Sequence, residues 1–104
     1  MPRSPAPNVD EIMKALAHPA RREILAWLKA PEKVFVHQCH PFSMGVCART
    51  IFDKSALSPS TVSAHLAILR KAELVTTRKV GQWIFYARNE PVIAQFLARM
   101  RSDL

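Results

Sequence analysis

Two stretches of this chain hold side chains able to do chemistry. The first is His37-Gln38-Cys39-His40, followed by Cys47, which gathers both cysteines and two of the four histidines in the sequence. Thiolate and imidazole together ligate Zn²⁺ or softer ions, although H-x-C-H and then C matches no standard zinc-ligand spacing. Cys39 and Cys47 are also close enough in sequence to close a loop disulfide, and His37, His40 and Arg49 can lower a thiol pKa. In a reducing compartment such a bond is regulatory rather than structural. The plainest alternative makes Cys47 a small core residue at the start of a helix, with Cys39 and the histidines as solvated loop groups. On sequence alone the metal, redox and packing readings all stay open.

The second stretch is Ser58-Pro59-Ser60-Thr61-Val62-Ser63-Ala64-His65-Leu66-Ala67-Ile68-Leu69-Arg70-Lys71. Val62, Leu66 and Leu69 recur at helical spacing and form one apolar stripe. Ser58 is a good N-cap, and Pro59 at the first helical position has no N–H to waste there. Ser60, Thr61 and Ser63 lie off the stripe. Short side chains let a helix backbone approach base edges in the major groove, and the basic Arg70-Lys71 end can meet phosphate. Ser60, Thr61 and Ser63 are expected to contact base edges or adjacent phosphates, and Ala64 a thymine methyl. His65 either binds a phosphate or braces the helix from within. An ordinary amphipathic helix with a Ser/Thr-rich face is the competing reading.

The flanking elements favour DNA. Val46 to Lys54 can form a short helix, and Ser55-Ala56-Leu57 is a connection of the length used in helix-turn-helix units, with Leu57 placed to pack between the two helices. Leu74 to Lys79 and Gln82 to Arg88 are rich in β-branched and aromatic residues. Val80-Gly81 separates them, so the pair reads as a β-hairpin. Arg78, Lys79 and Gln82 flank its tip, where they can reach the minor groove or its phosphates. Trp83, Phe85 and Tyr86 read as core or cross-strand packing rather than base-stacking groups. Asn8 with Glu11 opens a first helix bearing Val9, Ile12, Met13 and Leu16. His18-Pro19 opens a second through about Ala30, and Asn89 caps a last from Glu90 to about Arg101, bearing Val92, Ile93, Phe96, Leu97 and Met100. The expected architecture is mainly α with a hairpin wing: a winged helix-turn-helix of about five helices and a two-stranded antiparallel hairpin.

Ser60-Thr61-Val62-Ser63-Ala64-His65-Leu66, then Leu69, Ala72-Glu73-Leu74-Val75 and Gly81-Gln82-Trp83, resemble the ArsR/SmtB family of bacterial repressors. Leu16-Ala17-His18-Pro19-Ala20-Arg21-Arg22-Glu23-Ile24-Leu25 resembles the same family's second-helix signature. The resemblance implies a homodimer, paired through its first and last helices, on a palindromic operator in double-stranded DNA. Two recognition helices would then enter successive major grooves about 34–36 Å apart. It also implies release when a metal, an oxidant or a small molecule is sensed. The family's best-known metal site is a C-x-C pair on the third helix. Cys47 falls on its second position, but Gly45 stands at the first.

Composition agrees. The 104 residues make one domain, 49% hydrophobic, with a formal net charge of +7 that favours polyanions. Between Lys54 and Arg88 Glu73 is the only acid, so the basic excess coincides with the proposed DNA-reading unit. No apolar run approaches the roughly 20 residues of a membrane span. Residues 1–7 lack a signal-peptide apolar region and read as a flexible tail, with 8–104 as the DNA-binding and dimerisation domain and the cytoplasm as its place. Enzyme chemistry finds little footing. The acids are scattered, two glycines make no phosphate loop, and a Cys–His pair has no recognisable oxyanion hole beside it. A winged helix serving protein or RNA contacts, without specific DNA binding, is the remaining alternative; the hydroxyl-rich face and basic hairpin argue for duplex DNA.

Overall fold

The computed structural model describes residues 7–104. Six α-helices surround a small antiparallel sheet: α1 (Val9–Leu16), α2 (Pro19–Lys29), α3 (Pro31–Val34), a 3₁₀ turn (Phe42–Met44), β1 (Val46–Cys47), α4 (Ala48–Lys54), α5 (Pro59–Lys71), β2 (Val75–Val80), β3 (Trp83–Arg88) and α6 (Glu90–Asp103). The expected tail falls, apart from Pro7, outside the described residues.

Side-chain caps fix three of the six helix starts, those of α1, α2 and α5. Asn8 Oδ1 accepts from the Glu11 N–H at 3.0 Å, and His18 Nδ1 accepts from the Ala20 N–H at 3.1 Å. Asn89 occupies the N-cap position of α6, but its side chain makes no cap bond. Pro91, second in the helix, has no N–H to offer it, and the Asn89 N–H instead donates to the Leu74 carbonyl at 2.9 Å.

The structure adds three elements to the expected set: α3, the 3₁₀ turn and β1. Pro31 ends α2 at Lys29 and starts the single turn α3, because the residue before a proline is pushed out of the helical region. Val46–Cys47 is a strand rather than the start of a helix, pairing Val46 with Tyr86 and Cys47 with Phe85, so the sheet has three strands in the order β1-β3-β2. Its outer edge is covered by a side chain. Gln38 Nε2 donates to the Gly45 carbonyl at 2.9 Å and Gln38 Oε1 accepts from the Cys47 N–H at 3.0 Å, so one amide stands in for a neighbouring strand.

The core draws on all the larger helices and the sheet. Ile12, Ile24, Leu28, Ile51, Val62, Leu66, Leu69, Leu74, Phe85 and Phe96 are buried in it. The stripe expected on α5 is thus the buried one. Leu57, expected between the helices, is 42% exposed instead, and its N–H donates to the Ser55 hydroxyl at 3.0 Å. Met13 on α1 and Leu97 on α6 are also turned to solvent, at 46% and 57% exposure.

Candidate nucleic-acid interface

Helix α5 is held at both ends so that one side stays free. Ser58 Oγ accepts from the Thr61 N–H at 3.3 Å and shares a 2.9 Å hydrogen bond with the Thr61 hydroxyl. At the other end the Leu74 N–H reaches the Leu69 carbonyl at 3.0 Å and the Glu73 N–H the Arg70 carbonyl at 2.9 Å. This pair is a Schellman motif, with Glu73 at φ 62° in the left-handed position that usually belongs to glycine. The chain therefore turns directly from α5 into the wing, which locks the wing to the helix.

Around the helix circumference the residues sort cleanly. Val62, His65, Leu66 and Leu69 are buried, whereas Ser60, Thr61, Ser63, Ala64, Ala67, Ile68, Arg70 and Lys71 are exposed. At 100° per residue Ser60, Ala64, Ala67 and Lys71 form the centre of that exposed arc, with Thr61 and Ser63 towards its two edges. Ala67 and Ile68 join this arc although their residue types do not point to DNA. Their signal is positional: both lie on the arc opposite the apolar stripe.

The structure separates the remaining candidates. His65 is 8% exposed, its Nδ1 lies 3.1 Å from Arg21 Nη1, and its ring centroid is 4.5 Å from that of His18. Guanidinium has only donors, so His65 Nδ1 is the acceptor. Burial, then the neighbouring His18 and Arg21, push the His65 pKa below its ordinary 6.5. These surroundings suit the bracing alternative for His65. Lys71 turns towards Glu11 of α1, 3.8 Å away, an exposed and weak pair. Arg70 lies close enough to Tyr86 to oppose the larger upward push that burial gives the phenol. Arg88 is taken up by Glu90 through two 2.9 Å hydrogen bonds.

On the wing, β2 and β3 pair from Val75 with Arg88 to Val80 with Trp83, leaving Gly81-Gln82 as a two-residue turn. Gly81 alone takes positive φ there, at 61°, the pattern of a type II′ turn that matches strand twist. Lys79 and Arg78, opposite Ile84 and Phe85, project from the two faces of the ribbon, and both are exposed, as is Gln82. An exposed helix arc of small residues flanked by a ribbon carrying a cation on each face suits a groove and the phosphates beside it.

The cysteine-histidine region packs against β3 of the wing through Trp83 and Phe85. Cys39 is exposed and Cys47 buried. Both line a cavity of about 270 Å³ together with His37, His40, Arg49 and Trp83. The His40 ring lies 5.4 Å from Trp83 and 5.0 Å from Phe85. Among the described residues no three histidine, cysteine or acidic side chains group in a way that could hold a metal ion. A Cβ at Gly45 would stand 2.9 Å from the Tyr86 carbonyl oxygen, so the backbone itself excludes a C-x-C pair here.

Residues 47–77, from the end of β1 through α4 and α5 into β2, match the family described as bacterial regulatory protein, arsR family. The chain is 33% identical over 96 residues to YbzH, an HTH-type transcriptional regulator of Bacillus subtilis, covering 90% of this chain and 96% of that one. It is 29% identical over 85 residues to the transcriptional repressor SdpR of the same organism, covering 82% and 80%. Among solved structures, HlyU from Vibrio cholerae superposes with a TM-score of 0.61 at 29% identity, covering 88% of this chain and 87% of HlyU. A structure of reduced HlyU superposes with a TM-score of 0.59, covering 85% and 81%. These relatives are regulators, not enzymes.

Proposed function

Because the chain belongs to the ArsR family of bacterial regulatory proteins, DNA-binding regulators of transcription, we propose that it acts as a homodimeric repressor in the cytoplasm on a palindromic operator. The observation that carries this reading is the exposed arc of Ser60, Ser63, Ala64 and Ala67 on α5 together with the exposed Arg78 and Lys79 of the wing. Ser60, Thr61 and Ser63 take base edges or adjacent phosphates, Ala64 an apolar contact, and Arg70, Arg78, Lys79 and Gln82 the phosphates or the minor groove. His65 supports the helix from inside, and Lys71 is shared with Glu11. Residues 8–104 then serve as one DNA-binding and dimerisation domain. Exposed Met13 and Leu97 on the first and last helices support pairing through those elements. A repressor among the relatives supports the direction of regulation.

In this reading an oxidant of the peroxide class takes two electrons from the two thiols, so that Cys39 Sγ, the accessible sulfur, bonds to Cys47 Sγ across the shared cavity with loss of both thiol protons, and DNA is released. A reduced form among the HlyU structures supports a redox signal over a metal one. The regulator reading is tested by selecting bound duplexes from a random pool, with oxidised, reduced and metal-loaded protein. The expected result is an inverted repeat, steep loss of affinity with salt, and weaker binding after oxidation. Recovery of no common sequence overturns specific recognition. Unchanged affinity on oxidation overturns the thiol switch.

A further inference from the structure

The sequence signature around His18 and Arg21 has a physical role that DNA contacts do not use. Arg21 Nε donates to the Ala15 carbonyl at 2.6 Å, Arg21 Nη2 to the Lys14 carbonyl at 3.3 Å, and Arg21 Nη1 to His65 Nδ1 at 3.1 Å. One arm thus satisfies the otherwise free Ala15 carbonyl at the end of α1, a second shares the Lys14 carbonyl with the Ala17 N–H, and the third holds the middle of α5. Neighbouring Arg22 takes the Leu16 carbonyl at 2.5 Å and makes no bond to α5, so the link runs through Arg21. His18 packs against the other partner of that link, its ring tilted 51° to that of His65. A second, weaker tether joins Lys71 to Glu11. The tethers meet α5 six residues apart, about 9 Å along its axis, and α1 one turn apart. The exposed Lys71–Glu11 pair adds little by itself, so the angle between α1 and α5 rests mainly on the Arg21–His65 link.

We infer that Arg21 is a positioning residue for DNA recognition: by clamping His65 to the end of α1 it sets the angle at which α5 meets the groove, and through it the half-site spacing that the dimer accepts. This inference rests on the proposed regulator reading, with α1 on the pairing side of the domain. Arg21 needs no contact with DNA to act. Its guanidinium is the only side-chain type that can serve two carbonyls and one imidazole in a single fixed fork, so lysine does not replace it.

The experiment compares wild type with Arg21→Gln, Arg21→Lys, His65→Leu and His65→Asn, the last keeping an acceptor near the Nδ1 position. Each is titrated against the selected operator, the same operator with one or two base pairs added or removed between half-sites, and a single half-site duplex. Wild type prefers one spacing by tenfold or more. Arg21→Gln, Arg21→Lys and His65→Leu reduce that preference to within about threefold yet bind the half-site within about threefold of wild type, and His65→Asn retains the preference. Equal losses on every duplex, or an unchanged preference, overturn the inference. A double-mutant cycle of Arg21→Gln and His65→Leu in thermal unfolding checks the clamp without DNA. Additive effects there also overturn it. Failure of wild type to bind any duplex specifically is the distinct outcome that removes the regulator reading and this inference with it.

Discussion

Gly45 lies against Tyr86 so closely that a side-chain carbon built on it would stand 2.9 Å from the Tyr86 carbonyl oxygen and 3.3 Å from Phe85 Cβ. Its φ of 100° is also one that residues with side chains rarely adopt. Both facts follow from the short strand β1, which must run beside β3 immediately after this residue. Gly45→Ala is therefore expected to destabilise the fold by about 1–3 kcal/mol and loosen β1 from β3. Urea unfolding and amide exchange at Val46 and Cys47 measure it; wild-type stability in the variant contradicts the argument.

Glu73 illustrates the reverse case. It holds the left-handed position of the α5 Schellman motif at φ 62°, where a Cβ costs roughly 1–2 kcal/mol. Glycine removes that strain and restores some unfolded-chain entropy. Glu73→Gly is expected to stabilise the protein by up to about 1 kcal/mol, raising Tm by a few degrees. A fall in Tm means that the Glu73 side chain makes a contribution larger than its backbone strain.

How far these features were legible from sequence depends on how local their causes are. The caps at Asn8 and Ser58, the helix start at His18-Pro19, the apolar stripe of α5 and the hairpin were readable, because residue type and short-range spacing determine them. The third strand was not. Two residues carry no periodicity, and β1 exists because β3 offers it an edge and Gln38 closes the other side. The inward turn of His65 was one of two open readings, but its partner was hidden: Arg21 lies 44 positions away, and only the packing of α1, α2 and α5 brings them together. Ala67 has no reactive atom to attract notice, yet it lies at the middle of the exposed arc.

Base-reading and phosphate-holding residues are separable by how their loss depends on sequence. Ser63→Ala is expected to weaken operator binding by about 1 kcal/mol or more and leave random DNA nearly unchanged. Lys79→Ala weakens all duplexes alike and reduces the slope of log affinity against log salt by about 1. Titrations on operator and scrambled duplexes across salt concentrations distinguish them. Equal losses on both duplexes for Ser63→Ala remove it from the base-reading set.

His65 also makes stability depend on pH. Burial first, then His18 and Arg21, hold its pKa below the ordinary 6.5, so the folded state favours the neutral ring. Neutral Nδ1 can accept from Arg21; a protonated ring cannot, and it would place a second cation beside the guanidinium. The unfolded chain therefore takes up a proton at higher pH than the folded one. The contribution of this site is complete above about pH 6.5 and is lost as pH falls through the lower folded pKa, with a slope of at most about 1.4 kcal/mol per pH unit. Chemical unfolding from pH 8 to pH 5 is expected to show this loss in wild type and a flatter profile in His65→Asn, whose amide keeps an acceptor but does not titrate. Parallel profiles for the two proteins would mean that another group governs the acid limb and that the Arg21–His65 contact tolerates the proton.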